Sequence, residues 1–374
     1  MAKIPEFVSL KPVKKACPNA KYYVLIGQRS NGKTFAVLEE AINVWWDSQE
    51  TQTSAIVRRW EEDFKGKNGS DYFEGFIFNK YRGNILQTIT KGKYNAIIFF
   101  KRAWYAVKLD EKGEEVARST IPVAIAFAIT KQVHYKSISF PRVKLIVLDE
   151  MVARSYLPNE FIEFMNLVST IVRERDDITI YMLGNTLSGY CPYIAEMGLK
   201  NVRNMKQGDI EVYKYANLAL RVVVYMTDKI AKNGKASDVY FAFDNPQLKM
   251  ITGASVWELA NYPHCPFKYK PNEIKYIYFI KFDQELMQCE IINHEKQWIT
   301  FIHRKTTPIK EDDKGYVFQQ DFDPRPNYHR RISHCTSKLG KFICSFFFRD
   351  KVFYQDNEIG DLVSQYLQWQ DRVK

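Results

Sequence analysis

Apolar residues in the first half of the chain alternate between two rhythms. Tyr22 to Ile26 is a short unbroken apolar run, as expected of a strand buried on both faces. A glycine-bearing loop follows, and then Val37, Leu38, Ala41, Ile42 and Trp45 recur at the spacing of one helix face. Ser54 to Val57 reads as a second strand, Ile121 to Ile129 contains another, and Leu145 to Leu148 is a further buried one. From about Asn159 to Arg175 the spacing predicts a helix, with Phe161, Met165, Val168 and Val172 on one face. Asp176-Asp177 break it, and Ile178 to Leu183 returns as a strand. Such alternation predicts an α/β fold with a mostly parallel sheet between helices.

The second half has a different pattern. Tyr276 to Phe282, Leu286 to Ile292 and Trp298 to His303 read as successive antiparallel strands. Ile359, Leu362, Val363, Tyr366 and Leu367 mark a terminal amphipathic helix. Polar, turn-rich stretches at Lys206-Gln207-Gly208-Asp209 and Lys232-Asn233-Gly234-Lys235 place the change of domain within the segment that holds both, about 205–240. The expected organisation is a domain over 1–205, a linker over 206–235 and a second domain over 236–374. No repeat and no low-complexity tract is visible.

The length, 374 residues, suits two domains, and 46% hydrophobic with 15% aromatic residues supplies packed cores. A formal net charge of +11 favours a polyanionic partner such as nucleic acid. No segment is expected to span a membrane, since Ile121 to Ile129 is the longest clean apolar run near the middle. The N-terminus has no apolar core of signal-peptide length. Six cysteines without a CxxC pair read as reduced thiols of a cytosolic protein. His264-Cys265 and His334-Cys335 fit no common zinc spacing.

Gly27-Gln28-Arg29-Ser30-Asn31-Gly32-Lys33-Thr34 satisfies G-x-x-x-x-G-K-[ST] at every fixed position. A triphosphate carries several negative charges that need donors at short range. Backbone N–H groups of Ser30 to Thr34 can wrap it, and glycine permits the close turn. The loop opens a helix, whose N-terminal dipole favours the anion. Lys33 would reach the outer phosphates, and the Thr34 hydroxyl would ligate magnesium. The motif lies between an apolar strand and an amphipathic helix, as this chemistry requires, so ATP with magnesium is the expected ligand.

Val143 to Glu150 is a buried strand ending in two carboxylates. Ligands of open α/β sheets sit at the carboxyl ends of strands, so Asp149 is expected at the magnesium. Glu150, directly after it, can polarise an attacking water. A small-molecule kinase has no need of such a residue, because its nucleophile is the substrate. Asn185 ends the next strand. It either senses the γ-phosphate and helps hold the water, or it serves a turn with Gly184. Arg173 and Arg175 end a predicted helix, where the dipole alone would stabilise them; the other reading is an arginine finger. Arg29, Arg58 and Arg59 are further candidates for phosphate or subunit contacts, or are solvated surface charges.

Together these residues resemble the genome-packaging ATPases of small podoviruses, of the phi-twenty-nine type. The resemblance rests on GQRSNGKT, VRR at Val57 to Arg59, LDE at Leu148 to Glu150, YLPNE at Tyr156 to Glu160, RER at Arg173 to Arg175 and LGN at Leu183 to Asn185. NYHRR at Asn327 to Arg331 and FRDKVFYQDNEI at Phe348 to Ile359 continue it, in the same order. The chain departs from the family pattern in its longer second half and by one residue within Ile121 to Lys131.

The resemblance implies a P-loop ATPase domain of the additional-strand, catalytic-glutamate class. It also implies a linker and a C-terminal α+β RNase H-like domain that has lost nuclease activity and contacts nucleic acid. It implies a homo-oligomeric ring, usually of five, at the portal of a viral procapsid in the cytoplasm of an infected bacterium, driving double-stranded DNA inside. It makes Arg173 a finger acting on a neighbouring subunit. Family members contact a packaging RNA where one is present; nothing in this sequence calls for one.

Three other readings compete. A ring helicase would favour single strands and aromatic platforms. A phosphotransferase is opposed by Glu150 and by the large aromatic second half. A terminase-like nuclease would need converging carboxylates, for which Asp238, Asp244 and Asp283 are available.

Overall fold

Two sheets organise the chain, one in each of two units. The computed structural model describes residues 7–27, 31–153, 156–157, 159–185, 191–215, 219–227, 262–282, 285–310 and 313–372. The first unit draws on Met1–Ala153, Asn159–Thr186 and Pro192–Val256, and the second mainly on Trp257–Lys374.

The first unit is built on a 10-stranded sheet. Its strands are β1 (Tyr22–Gly27), β2 (Thr53–Arg58), β3 (Ala96–Phe100), β4 (Ala103–Leu109), β5 (Glu115–Arg118), β6 (Ala124–Ala128), β7 (Val143–Leu148), β8 (Thr179–Asn185), β9 (Ile210–Lys214) and β10 (Arg221–Met226). The order is β3-β4-β6-β2-β7-β8-β1-β10-β9, with β5 beside β4. The run from β6 to β10 is parallel, and the flanking strands β4, β3 and β9 are antiparallel. One point of this order matters for the site: β8 lies between β1 and β7.

The helix Lys33–Asp47 follows β1 and buries Val37, Leu38, Ala41, Ile42 and Trp45, the face that the spacing predicts. Its core continues through Tyr23 and Leu25 of β1 to Tyr181 and Leu183 of β8. Strands buried on both sides have no polar face to show, which is why the centres of β1, β2 and β7 (23–26, 55–57 and 145–148) read as unbroken apolar runs.

Two expectations need correction. The helix after β7 spans Glu160–Val172 and buries Phe164, Leu167, Val168 and Ile171, not the stripe from Phe161 to Val172. EFIEFMNLVSTIV is apolar on most sides, so its periodicity cannot choose the face. The stretch 206–235 is not a linker where it is described: β9 and β10 extend the first sheet, with β10 parallel to β1. The polar signal at Lys206 to Asp209 is a turn leading into β9, with the Asp209 side chain accepting from the Lys206 N–H at 2.7 Å. The hairpin β3–β4 with β5 was not anticipated.

The second unit holds β11 (Ile274–Phe282), β12 (Glu285–His294), β13 (Gln297–Arg304), β14 (Val317–Gln319), β15 (Tyr328–His329) and β16 (Val352–Tyr354). Their order is β15-β14-β11-β12-β13-β16. β11, β12 and β13 form an antiparallel meander, as the alternation predicts, and β14 runs parallel to β11. The helices Lys338–Phe348 and Asn357–Arg372 supply Ile343, Phe346, Ile359, Leu362, Val363 and Tyr366 to one core with Tyr278, Ile280 and Cys289. Among the described residues no helix is long and apolar enough to cross a membrane.

Candidate active site

β1 ends at Gly27, in register with Asn185 at the end of β8. A Cβ on Gly27 would stand 1.8 Å from Thr227 Oγ1, so only glycine fits. Thr227 follows β10; its N–H donates to Ile26 O at 2.7 Å, and its hydroxyl accepts from Asn31 Nδ2 at 2.6 Å. Gln28, Arg29 and Ser30 lie outside the described residues. Gly32 has φ +88°, a left-handed conformation suited to glycine, and starts the helix at Lys33.

Lys33 is buried, and its ammonium donates to Gly27 O at 3.0 Å, Asn31 Oδ1 at 3.1 Å and Asn185 Oδ1 at 3.3 Å. Burial lowers its pKa to about 8, against the opposing pull of Asp149. Asn185 therefore stands within reach of the loop lysine.

Asp149 sits where β7 ends. Its Oδ1 accepts the Thr34 hydroxyl at 3.2 Å and the Glu150 N–H at 3.2 Å. Its Oδ2 accepts the Tyr72 hydroxyl at 2.7 Å and Arg58 Nη1 at 3.3 Å. Burial, and the charge of Asp149 after it, hold Tyr72 well above the ordinary phenol value, so it donates. A hydroxyl and a carboxylate, both oxygen donors at neighbouring strand and helix ends, suit a hard divalent cation such as magnesium.

Glu150 adopts φ +60°, uncommon for a residue with a side chain. Its carboxylate is half exposed and accepts Arg58 Nη2 at 2.7 Å. Arg58 thus bridges the two carboxylates of the acidic motif. A cavity of about 430 Å³ opens between 31–35, 149–150 and 183–185.

Arg59 turns the other way and forks onto Glu160, with Nε to Oε2 and Nη2 to Oε1 both at 2.7 Å. Tyr193 donates to the same carboxylate at 2.8 Å, and Arg59 Nη2 donates to Glu150 O at 3.3 Å. This buried pair steadies the backbone that carries Glu150. Removing one partner leaves the other charge stranded, so Arg59→Ala should destabilise the first unit by about 3–5 kcal/mol. Urea unfolding followed by tryptophan fluorescence checks this; a loss below about 1 kcal/mol would assign the pair the modest worth of a surface bridge.

Arg173 lies elsewhere. The helix Glu160–Val172 runs from the end of β7 back to the start of β8, and Arg173 caps it at φ +49°. Its guanidinium donates to Ile138 O at 3.0 Å. Arg175 donates to Val143 O at 2.8 Å and Ile171 O at 2.7 Å, a structural engagement. Arg58 and Arg59, read from sequence as surface or phosphate contacts, are committed to carboxylates. Tyr72 and Thr227 carry no motif of their own and escaped the sequence reading; Glu160 closes the YLPNE segment, but its pairing with Arg59 was not read from it. In the second unit, Arg304 pairs with Glu285 at 3.2 Å and Glu358 at 3.1 Å, and His303 with Glu290 at 3.3 Å. The carboxylates weighed for a nuclease, Asp238, Asp244 and Asp283, lie outside the described residues.

No family model and no curated protein matches the sequence. Among solved structures, the chain is similar to the Phi-28 gp11 DNA packaging motor, with a TM-score of 0.56 at 17% identity over 99% of both chains. It is similar to a chain of the bacteriophage Phi-29 viral genome packaging motor assembly, with a TM-score of 0.55 at 15% identity, over 97% of this chain and 99% of that one. The N-terminal domain of the phi29 DNA packaging ATPase aligns at 20% identity over 61% of this chain and 99% of that one, with a TM-score of 0.45. At such identities the likeness is one of fold, and the fold of this chain is the one found in solved phage DNA-packaging motors.

Proposed function

We propose that the chain is an ATP-hydrolysing ring motor that moves double-stranded DNA into a viral procapsid. The observation that carries the reading is the convergence of Lys33 and Thr34 with Asp149, Glu150 and Asn185 on one cavity. The placement of β8 between β1 and β7 supports the additional-strand class of P-loop ATPase, with Glu150 as the catalytic glutamate.

The triphosphate would lie on the loop, with the Lys33 ammonium exchanging carbonyl and amide partners for phosphate oxygens. Thr34 and Asp149 would hold magnesium, which when bound draws charge from the β- and γ-phosphate oxygens. Glu150, once free of Arg58, takes a proton from the attacking water. The water oxygen bonds to the γ-phosphorus as the bond to the ADP oxygen breaks. Asn185, bonded to Lys33 and facing the same cavity, reports on the γ-phosphate. A second cavity of about 660 Å³, which shares Gly32 and Phe35 with the first and is bounded by Phe7, Asn79 and Tyr81, offers room for the nucleoside.

For the second unit, the order β13-β12-β11-β14-β15 supports an RNase H-like arrangement. Its central strand, IKYIYFIKF, carries no carboxylate, which supports a domain that contacts nucleic acid without cutting it. The net charge of +11 suits a duplex gripped by its phosphates. The resemblance in sequence extends the reading to a five-membered ring at the portal in an infected bacterial cell, with a packaging RNA as an optional partner.

ATPase assays with and without DNA test the reading. Turnover should require magnesium, rise with duplex DNA more than with single strands, and lose that stimulation steeply with salt. Lys33→Ala should abolish ATP binding, because the outer phosphates lose their cation. Stimulation by single strands alone would favour the helicase reading, and an absence of ATP turnover would reject both.

A further inference from the structure

The two oxygens of Asp149 have different surroundings. Oδ1 faces the Thr34 hydroxyl, and Oδ2 faces the hydroxyl of Tyr72. A carboxylate can only accept, so Tyr72 donates, and at 2.7 Å this is the shortest bond that Asp149 makes among the described residues. A carboxylate on a single bond is otherwise free to turn and present either oxygen.

The ring of Tyr72 is itself held in place. It packs 5.4 Å from Trp104 and 6.4 Å, edge-on, from Phe64. Trp104 is fully buried on β4, and its indole N–H donates to Gly69 O at 2.7 Å. Both the ring and the short helix that bears it, Asp71–Phe76, are therefore anchored to the sheet.

Arg58 also reaches Oδ2, at 3.3 Å, but its shorter bond goes to Glu150. A guanidinium beside Asp149 also repels a second cation, whereas a neutral hydroxyl orients the carboxylate without adding charge. The neutral donor is the one compatible with metal binding.

We infer that Tyr72 is a positioning residue for magnesium: its hydroxyl locks Asp149 so that Oδ1 stays turned toward Thr34. The inference rests on the ATPase reading above. Partners that orient a metal ligand in this way typically change metal affinity by ten- to a hundredfold when removed.

The test uses the full chain and a fluorescent ATP analogue, titrated with magnesium. In Tyr72→Phe the magnesium concentration for half-maximal nucleotide binding should rise about tenfold. Binding of the analogue in chelator should not change, and saturating magnesium should restore turnover. An unchanged magnesium requirement overturns the inference. So does an equal loss of binding in chelator, which would make the hydroxyl a support of the fold. The wild-type arm separates the two levels: no magnesium effect there overturns the ATPase reading, whereas a normal wild-type response with a normal Tyr72→Phe response overturns only the role of Tyr72.

Discussion

Glu150→Gln should bind ATP as tightly as the wild-type chain and hydrolyse it roughly a hundred to ten thousand times more slowly. The substitution keeps size and removes the ability to take a proton. Its expected effect on folding is small, because the carboxylate is half exposed and its partner Arg58 keeps Asp149 and Asp63 within 3.3 and 3.6 Å. In the proposed mechanism binding falls to Lys33, whose ammonium donates to Gly27, Asn31 and Asn185. Equilibrium binding with single-turnover hydrolysis separates the two quantities. Near-normal turnover would remove Glu150 from the mechanism and leave its φ of +60° without a catalytic reason.

Arg173→Ala should leave ATP binding intact and lower turnover of assembled rings by roughly a thousandfold or more. The fold sets Arg173 apart from the phosphate site of its own chain. The phosphate loop follows the end of β1, and Arg173 follows a helix of 13 residues that starts near the end of β7 and runs to the opposite edge. At 1.5 Å per residue that helix covers about 20 Å. From that edge, a finger of the proposed ring would serve a neighbour. Mixing decides the matter: Arg173→Ala subunits keep a sound loop, and Lys33→Ala subunits keep the arginine. Mixed rings should recover activity where the second presents Arg173 to the first. Background activity in rings verified to hold both mutants would reduce Arg173 to its visible task, holding the carbonyl of Ile138.

What sequence could tell depended on whether each partner carries a local motif of its own. The phosphate loop and the acidic strand end are local patterns, and Lys33, Thr34, Asp149, Glu150 and Asn185 meet as their spacing implies. The face of the helix Lys33–Asp47 was legible because Glu39, Glu40, Asn43 and Asp47 interrupt its apolar residues; that of Glu160–Val172 was not, because its apolar residues nearly encircle it. Tyr72 reaches Asp149 across 77 positions, and Thr227 reaches Asn31 across 196. Thr34 and Asp149 meet across 115 positions, but each sits in a recognisable local pattern, whereas Tyr72 and Thr227 sit in none. The supposed linker misled for a related reason. Turn residues announce a change of direction, and they do so equally between domains and between paired strands.

The pairing of β10 with β1 bears on how the molecule can be divided. A fragment ended at residue 205, where the polar stretch begins, would strip β10 and β9 away and leave β1 at the margin of the sheet. Its unpaired amides and carbonyls, on a strand whose residues 23–27 are all buried in the intact chain, would invite association with other copies. The same cut would remove Thr227, so Asn31, whose Oδ1 accepts from Lys33, would lose the hydroxyl that holds its Nδ2. An autonomous N-terminal piece must therefore run through Thr227, even though the loop it serves lies 196 residues upstream.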